Sequence, residues 1–221
     1  MSTEMPRIRS AEAFREVFGV SRETADRLAV YEGLLRTWQR TINLVSPATL
    51  EDAWHRHFAD SAQLLNFSPP DAKNWLDLGS GAGFPGLVLA ILLAERAPEA
   101  HMTLVESDSR KAAFLREVAR KTGVAVEIRV ERSENTATQA KSQIRDAITA
   151  RALAPLPKLL GLALPFFSPQ TVALFPKGRE VEVEVEEAKR RFDFDSQLVP
   201  SLTDAEGRIV IVRNLAVKTE G

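Results

Sequence analysis

A glycine-dense run that follows a short apolar segment constrains this chain most. Residues 74–78 (NWLDL) are mainly apolar and predict a buried strand that ends near Asp77. Four glycines follow within eight residues, at Gly79, Gly81, Gly83 and Gly86. Glycine allows positive φ and lets the backbone approach a ligand closely. Pro85 suits the first turn of a helix, whose N-terminus can hold polar ligand groups. The run therefore predicts a strand, a ligand-binding turn and a helix in succession.

The glycines can be read in two frames, and each frame predicts a different cofactor. From Gly81 the spacing is the G-x-G-x-x-G of dinucleotide sites, with Glu106 placed to bind a ribose. From Gly79 the pattern is D-x-G-x-G-x-G, which begins at Asp77. A carboxylate there would repel a pyrophosphate, but it can serve the ammonium group of a methionine-derived cofactor directly or through water. S-adenosylmethionine is therefore the favoured cofactor, and NAD is the alternative. A turn that only packs a helix on a sheet is the third interpretation.

Composition excludes several classes of protein. The net charge of −1 argues against a protein that coats nucleic acid indiscriminately, although it permits a local basic face. The absence of cysteine excludes disulfides, thiolate zinc sites and a cysteine nucleophile. The N-terminal residues lack the apolar core of a signal peptide, and the apolar run at 86–94 is too short to span a bilayer. We expect a soluble, cytoplasmic protein that does not bind membranes.

The hydrophobic pattern divides the chain near residue 70. Between residues 10 and 65, apolar side chains recur at steps of three and four, which predicts helices interrupted at Pro47. Two consecutive prolines, Pro69 and Pro70, close this segment. We therefore predict an N-terminal helical extension at 1–70 that packs on a cofactor-binding domain at 71–221.

Beyond residue 70, short apolar runs alternate with helical patterns. Strands are predicted near 74–78, 102–106, 125–130, 146–150 and 171–175, and helices near 86–96, 109–122, 134–142, 155–166 and 179–191. This alternation predicts an α/β fold with a mostly parallel, doubly wound sheet. The run at 208–213 could return as a hairpin beside a strand near 195–200. Residues 179–191 alternate valine and glutamate as a strand would, but glutamate and alanine favour a helix there.

Ligands of such sheets bind beyond the carboxyl ends of the strands. Polar or glycine-rich residues follow all five predicted parallel strands. They are residues 77–86 after the first strand, Glu106, Ser107 and Asp108 after the second, Ser133 and Glu134 after the third, Arg151 after the fourth, and Lys177, Gly178 and Arg179 after the fifth. This coincidence predicts one composite site at that edge of the sheet.

Six motifs occur together along the chain, and their combination is more specific than any one of them. They are WQRTINLVS at 38–46, HRHFADS at 55–61, LDLGSGAGFPGLVLA at 76–90, LVESDSRKAAFLREV at 104–118, ARALAPL at 150–156 and FPKGRE at 175–180. With these motifs the chain resembles the bacterial RsmG family, also called GidB, over nearly its whole length. Members of that family methylate a guanine of small-subunit ribosomal RNA at N7.

The resemblance implies a Rossmann-like class I S-adenosylmethionine-dependent methyltransferase with an N-terminal helical extension. It implies methyl transfer to N7 of guanine 527 in 16S ribosomal RNA, within the small ribosomal subunit or its precursor. It also implies roles for individual residues. Gly79 and Phe84 would contact the cofactor, Glu106 would bind the ribose hydroxyls with Ser107 and Asp108 beside it, Ser133 and Glu134 would line the adenine side, and Arg151 would close the pocket. Asp77, Gly81 and Gly83 complete the expected cofactor site, and we expect the protein to be a monomer.

Two positions depart from the family's common pattern. Ser133 stands where a small residue or valine is usual, and we expect it to act through its backbone. Glu106 stands where the acid is often aspartate. Neither departure changes the predicted cofactor.

The chemistry of a guanine N7 acceptor needs no general base. N7 carries a lone pair outside the aromatic sextet, so it can attack a sulfonium methyl group without first losing a proton. No N-P-P-Y-like motif follows the fourth strand, where residues 150–152 read Ala-Arg-Ala. Catalysis should therefore come mainly from alignment, which can supply as much as ~7–11 kcal/mol.

Basic residues around the predicted site are candidates for RNA binding through phosphates. They are Arg36, Arg40, Arg56, Lys177 and Arg179. The alternative for each is a surface ion pair with a nearby acid, and Lys177 is the favoured RNA contact. Phe84 is a candidate for stacking on a splayed base.

His55 and His57 lie two residues apart and so do not share a helix face, which argues against a metal site. We expect His57 to form hydrogen bonds with Asp60 or Ser61. The alternatives to an RNA methyltransferase are an NAD-dependent oxidoreductase, a non-catalytic RNA-binding or assembly protein, and a methyltransferase of small molecules.

Overall fold

A seven-stranded sheet organises the computed structural model, which describes residues 6–139 and 144–218. Its strands are β1 (Asn74–Leu78), β2 (His101–Glu106), β3 (Glu127–Val130), β4 (Ala147–Thr149), β5 (Val172–Lys177), β6 (Phe192–Pro200) and β7 (Arg208–Val217). The strand order is β3-β2-β1-β4-β5-β7-β6. Strands β1 to β5 pair in parallel, whereas β7 runs antiparallel to both β5 and β6. The predicted α/β fold with a mostly parallel, doubly wound sheet is confirmed.

Nine α-helices accompany the sheet in the described part of the chain. They are α1 (Ala11–Phe18), α2 (Arg22–Trp38), α3 (Pro47–Leu50), α4 (Asp60–Ala62), α5 (Gly86–Arg96), α6 (Ser109–Thr122), α7 (Ser133–Gln139), α8 (Leu156–Ala163) and α9 (Val181–Ala188). A π-helical turn covers Trp54–Ala59, and 3₁₀ turns cover Gln63–Phe67 and Leu164–Phe166. Side chains cap several N-termini: Ser10 caps α1, Ser21 caps α2 and Asp108 caps α6. None of the described helices is long and apolar enough to cross a membrane.

The predicted elements agree with the structure most closely around the glycine run. The strand at 74–78 and the helices at 86–96 and 109–122 have the predicted bounds. The C-terminal hairpin is confirmed, although β6 begins earlier than predicted because Phe192 pairs with Val217. The helix predicted at 155–166 ends at Ala163 and continues as a 3₁₀ turn. The helix predicted at 134–142 covers Ser133–Gln139, and residues 140–143 lie outside the described residues.

The valine–glutamate stretch forms a helix, as predicted. In α9 the buried side chains are Val181, Val185 and Ala188, which share one helical face. Val183, which a strand would have placed on the same face as Val181 and Val185, is 62% exposed. The helix is shorter than predicted because the chain must turn before β6.

The N-terminal segment is helical, and it covers one face of the sheet. Helix α2 packs on α5 and α6, and α1 packs on α2. Aromatic side chains fill the interface: Tyr31 lies 5.1 Å from Phe58 and 6.1 Å from Phe114, ring centroid to ring centroid. Helices α8 and α9 pack together with residues of β4, β5 and β7 in a second hydrophobic cluster. A domain boundary at residue 70 stays a prediction.

The topology creates a switch point between β1 and β4, which are neighbours although β2 and β3 separate them in the chain. Crevices for ligands form at such points, outside the carboxyl ends of the strands. The ends of β1, β2 and β4 therefore converge on one place.

Candidate functional site

A cavity of about 420 Å³ lies beyond the carboxyl ends of β1, β2 and β4. We call it the first cavity. Its walls include most of the residues predicted to bind the cofactor: Gly79, Gly81, Phe84, Glu106, Ser107, Ser133, Glu134 and Arg151. The apolar side chains of Leu44, Val45 and Leu153 also line it. Three predicted residues, Asp77, Gly83 and Asp108, lie next to the cavity without lining it.

The glycine turn has a backbone that other residues adopt rarely. Gly79, Gly81 and Gly83 have φ of +65°, +56° and +92°. A Cβ on Gly79 would lie 2.5 Å from Leu153 Cδ1, and one on Gly83 would collide with the hydroxyl of Tyr31. That hydroxyl donates a hydrogen bond to the carbonyl oxygen of Ala82. Helix α2 therefore holds the turn from behind, a contact that the sequence does not predict.

Glu106 ends β2, and the backbone fixes its carboxylate on both sides. Oε2 accepts a hydrogen bond from the amide of Gly81 at 2.7 Å, and Oε1 accepts one from the amide of Asp108 at 2.7 Å. A carboxylate oxygen can accept more than one hydrogen bond, so both oxygens keep a lone pair for a ligand. Glu106 is thus a rigid acceptor that lines the first cavity beside the glycine turn.

Asp108 begins helix α6, and its expected place beside the ribose stays a prediction. Its Oδ1 accepts from the amide of Arg110 at 2.8 Å and so caps α6. The hydrogen bond from the Arg110 side chain, together with that amide, lowers the pKa of Asp108 to about 2. Asp108 therefore serves the site by starting the helix and by donating its own amide to Glu106.

Asp77 lies beneath the turn, with 0% of its surface exposed. Its Oδ1 accepts a hydrogen bond from Thr149 Oγ1 at 2.7 Å, and a Cβ on Gly86 would lie 2.6 Å from Oδ2. Burial raises the pKa of this carboxyl to about 6. Direct contact with a cofactor ammonium group, one option derived from the sequence, does not fit this position. Asp77 instead supports the glycine turn from inside the sheet.

Arg151 follows β4 and contacts the N-terminal extension through three acceptors. Its Nη1 donates to Asp60 Oδ2 at 3.0 Å and to the carbonyl of Arg56 at 3.1 Å, and its Nη2 donates to His57 Nδ1 at 2.9 Å. Its guanidinium carbon lies 5.2 Å from the centroid of the Phe84 ring. The side chain is thus fixed at the wall of the first cavity.

Phe84 lies in an aromatic cluster that leaves only 4% of its surface exposed. Its ring stacks on Tyr31 at 5.3 Å and on His57 at 4.9 Å between centroids. The prediction that Phe84 stacks on a splayed base is wrong, because these neighbours already cover the ring. Its place on the wall of the first cavity agrees with the predicted cofactor contact, which stays a prediction.

His57 is a structural hydrogen-bonding residue, but its partners differ from those predicted. Since Nδ1 accepts from Arg151, the proton is on Nε2, which donates to Thr49 Oγ1 at 2.9 Å. Burial lowers the pKa of the imidazole to about 3, so the ring is neutral. Ser61 donates to the backbone carbonyl of His57 rather than to its ring. The predicted hydrogen bonds from the ring to Asp60 or Ser61 are wrong, because Arg151 and Thr49 occupy the two ring nitrogens.

His55 is occupied as well, since its Nδ1 accepts a hydrogen bond from the amide of Ile8 at 3.3 Å. Within residues 6–139 and 144–218, no group of three or more histidine, aspartate or glutamate side chains is arranged to hold a metal ion.

A second cavity, of about 390 Å³, adjoins the first one, and Arg151 and Ala152 line both. Its other lining residues come from four parts of the chain: Thr49, Arg56, His57 and Asp60; Pro176, Lys177 and Gly178; Glu184; and Ser201, Asp204, Gly207, Arg208 and Ile209. Ala152 has a φ of +54°, which is strained for a residue other than glycine. Backbone strain of this kind is concentrated at functional sites.

The loop between β6 and β7 is tied to the extension and closes one side of the second cavity. Thr203 Oγ1 donates to Asp60 Oδ1 at 2.8 Å, and the amide of Leu202 donates to Gln63 Oε1 at 2.8 Å. Arg56 pairs with Asp204 at 2.8 Å. Sequence reasoning missed Asp60 and this loop as parts of a site. The HRHFADS motif at 55–61 was the one signal that pointed to Asp60.

Most basic residues predicted to bind RNA form ion pairs. Arg36 pairs with Glu32 and Glu51, Arg56 with Asp204, Lys177 with Glu184, and Arg179 with Glu206. Arg40 is exposed and has no ion-pair partner in the part of the chain that the structure describes. Arg56 and Lys177 line the second cavity, whereas Arg36, Arg40 and Arg179 line neither cavity. RNA contact stays a prediction for all five.

Comparison with known proteins identifies the family. The model of the GidB family, described as rRNA small subunit methyltransferase G, matches residues 24–211. The chain belongs to this family. The ribosomal RNA small subunit methyltransferase G of Parvibaculum lavamentivorans is 50% identical over 210 residues, which cover 95% of this chain and 92% of that protein. The protein of the same name from Rhodospirillum centenum is 51% identical, over 93% of this chain and 91% of its own length.

Solved structures of methyltransferases share the fold at low sequence identity. An O-methyltransferase from Bacillus cereus in complex with SAH has a TM-score of 0.62 at 17% identity, over 93% of this chain and 98% of that one. A methyltransferase from Geobacter sulfurreducens has a TM-score of 0.56 at 15% identity, over 95% and 98% of the two chains. The Rossmann-like fold of class I methyltransferases is confirmed.

Membership of the GidB family decides between the two readings of the glycine run. The predicted resemblance is confirmed, and with it the enzyme class, a methyltransferase, and the cofactor, S-adenosylmethionine. The alternative interpretation, an NAD-dependent oxidoreductase, is therefore rejected.

Proposed function

We propose that this enzyme transfers the methyl group of S-adenosylmethionine to N7 of guanine 527 in 16S ribosomal RNA. The family description and the names of the relatives specify small-subunit ribosomal RNA. The observation that carries the proposal is the pair of adjoining cavities, which meet at Arg151 and Ala152. A methyl donor in the first cavity and an acceptor base in the second would face each other at this junction.

The residues of the first cavity fit S-adenosylmethionine. The carboxylate of Glu106 is held by two backbone amides and can accept hydrogen bonds from both ribose hydroxyls. Gly79 and Gly81 let the backbone approach the ligand without a Cβ in the way. Leu44, Val45 and Leu153 provide apolar surface for a purine ring. When bound, S-adenosylmethionine supplies a methyl group on a positively charged sulfur.

In the proposed reaction, guanine N7 forms a bond to the methyl carbon with its own lone pair. The carbon–sulfur bond breaks, and its electron pair stays on the sulfur of S-adenosylhomocysteine. No proton leaves guanine, so the side chains at the junction need not accept one. Arg151 donates to three acceptors and the neutral ring of His57 uses both nitrogens, which suits groups that hold a fixed geometry. Alignment of this kind can contribute as much as ~7–11 kcal/mol.

The proposed substrate is ribosomal RNA in the small subunit or its precursor, and the enzyme acts as a monomer in the cytoplasm. Phosphate contacts by Arg36, Arg40, Arg56, Lys177 and Arg179 would position the RNA without reading its sequence. Solvent exposure favours two of these residues, Arg40 and Arg179, as phosphate contacts. Arg40 has no ion-pair partner among the described residues, and the pair of Arg179 with Glu206 is exposed and weak.

A transfer assay tests the proposal. Small subunits from a strain that lacks the enzyme, and naked 16S ribosomal RNA, are incubated with S-adenosylmethionine that carries a labelled methyl group. We expect labelled N7-methylguanosine after digestion to nucleosides. Glu106→Ala should abolish the label, whereas Glu117→Ala, on α6 and outside the lining of both cavities, should not. Label in another nucleoside would contradict the N7 assignment. Binding to small subunits without any label would support the non-catalytic alternative.

A further inference from the structure

Three carboxylates line the second cavity. They differ in how many of their oxygens accept hydrogen bonds from the protein. Asp60 accepts hydrogen bonds at both oxygens, from Gln63 and Thr203 at Oδ1 and from Arg151 at Oδ2. Asp204 also uses both oxygens, with Arg56 at Oδ2 and the amide of Glu206 at Oδ1. These two side chains are therefore committed to joining the extension and the β6–β7 loop.

Glu184 differs, because its side-chain hydrogen bond and its ion pair both involve Oε2. Oε2 accepts a hydrogen bond from the amide of Leu156 at 2.5 Å and lies 2.6 Å from Lys177 Nζ. Oε1 has no hydrogen-bond partner among residues 6–139 and 144–218. The carboxylate is thus anchored at one oxygen while the other remains available to a ligand in the second cavity.

Lys177 is part of this anchor. Its side chain is only 11% exposed, and its Nζ also donates to the carbonyl of Ala154 at 2.9 Å. The lysine therefore links the end of β5, the segment after β4 and α9. Its position explains why Glu184 keeps one orientation.

Deepening the proposed function, on which this step rests, we infer that the second cavity takes the acceptor guanine and that Glu184 selects it. Oε1 accepts hydrogen bonds from N1–H and the 2-amino group, which lie on the edge of the purine opposite N7. N7 is then free to face the junction at Arg151 and Ala152. Adenine has an acceptor at N1, so the same carboxylate oxygen repels it. A cavity of about 390 Å³ lies in the size range of small-ligand sites.

Replacement of the acceptor base by inosine tests the inference, because inosine lacks only the 2-amino group. Small subunits are reconstituted with 16S ribosomal RNA that carries guanine or inosine at the methylated position. Transfer of a labelled methyl group is then measured. With the wild-type enzyme, we expect kcat/KM to be at least about ten-fold lower for inosine, the size of one lost recognition contact.

The variant Glu184→Gln keeps the size of the side chain. We expect it to lower kcat/KM for guanine by about ten-fold and to reduce the inosine penalty to about two-fold, since the contact is already weakened. Its affinity for S-adenosylhomocysteine should equal that of the wild type. Glu182→Gln is the matched control, because Glu182 is exposed on the same helix. It should behave as the wild type with both bases.

The outcomes separate the inference from the proposed function. Equal rates with guanine and inosine in the wild type would overturn the inference and leave the function intact. So would an inosine penalty in Glu184→Gln equal to that of the wild type, which is the result expected if Glu184 only anchors Lys177. Failure of the wild type to methylate the guanine substrate at all would overturn the proposed function, and the inference with it.

Discussion

Arg151 donates a hydrogen bond to Asp60 Oδ2 at 3.0 Å, and this ion pair joins the end of β4 to the N-terminal extension. The two side chains are only 18% and 15% exposed. The other oxygen of Asp60 accepts from Thr203 in the β6–β7 loop. Three distant parts of the chain thus meet at the junction of the two cavities. The site depends on this pair for its shape.

Replacement of Arg151 by alanine should weaken cofactor binding. We expect the Kd for S-adenosylhomocysteine, measured by calorimetry, to rise at least about ten-fold, which corresponds to roughly 1.4 kcal/mol. The free energy of unfolding should fall by about 1–3 kcal/mol, because Asp60 loses its charged partner in a largely buried place. The chain should still fold. The control is Arg116→Ala, on the exposed face of α6. An unchanged Kd would remove Arg151 from the cofactor site.

The hydroxyl of Tyr31 should affect the cofactor site from a distance. Burial raises the pKa of Tyr31 well above its ordinary value, so the hydroxyl stays protonated and donates to the carbonyl of Ala82. Tyr31→Phe leaves that carbonyl without its donor, so we expect a loss of about 1–2 kcal/mol in the free energy of unfolding. The Kd for S-adenosylhomocysteine should rise several-fold as the turn loosens. If both quantities match the wild type, helix α2 does not hold the turn.

Glu106→Gln should impair cofactor binding more than it impairs stability. The glutamine amide group would face one of two backbone amides, Gly81 or Asp108, and two donors cannot bond to each other. We expect the Kd for S-adenosylhomocysteine to rise at least about ten-fold, in the range of one lost charge-assisted hydrogen bond. Glu117→Gln provides the comparison. Equal affinity in Glu106→Gln and the wild type would show that the ribose binds elsewhere.

Stability should depend on pH through Asp77. Burial raises its pKa in the folded state from 3.8 to about 6, so the folded protein binds this proton more tightly than the unfolded chain. The resulting stabilisation is complete below the unfolded value and is lost as the pH rises through 6. A shift of about two units corresponds to about 3 kcal/mol.

Urea unfolding of the wild type and Asp77→Asn between about pH 4 and pH 8 measures this contribution. The difference between their unfolding free energies should shift in favour of the variant by up to about 3 kcal/mol as the pH rises. A difference that stays constant over this range would mean that Asp77 does not titrate as proposed.

Local sequence patterns predicted the elements around the first cavity. The strand at 74–78 and the helices at 86–96 and 109–122 follow from apolar runs, glycines and caps, which act within a few residues. The same reasoning placed Glu106 correctly at the end of β2, where it lines the first cavity. The carboxyl ends of parallel strands meet at one edge of the sheet, so the residues that follow them converge there, independently of the loop conformations.

Contacts between distant residues could not be predicted in this way. The partner of Lys177 is Glu184, which lies in α9, and that of Arg151 is Asp60, which lies in the extension. The position of a residue at a strand end does not determine where its side chain points. Asp77 was therefore expected near the ligand, whereas it is buried beneath the turn. Such partners depend on how elements pack across the sheet, and a single sequence does not show that packing.

Mapping of the methylated nucleotide tests directly whether the enzyme methylates N7 of guanine 527. RNA that contains N7-methylguanosine can be cleaved chemically at that nucleotide. Small subunits from a strain that lacks the enzyme are incubated with S-adenosylmethionine and the wild-type protein or Glu106→Gln. We expect one new cleavage, at guanine 527 of 16S ribosomal RNA, with the wild type and a much weaker one with the variant. Methyl transfer without cleavage at that guanine would contradict this expectation.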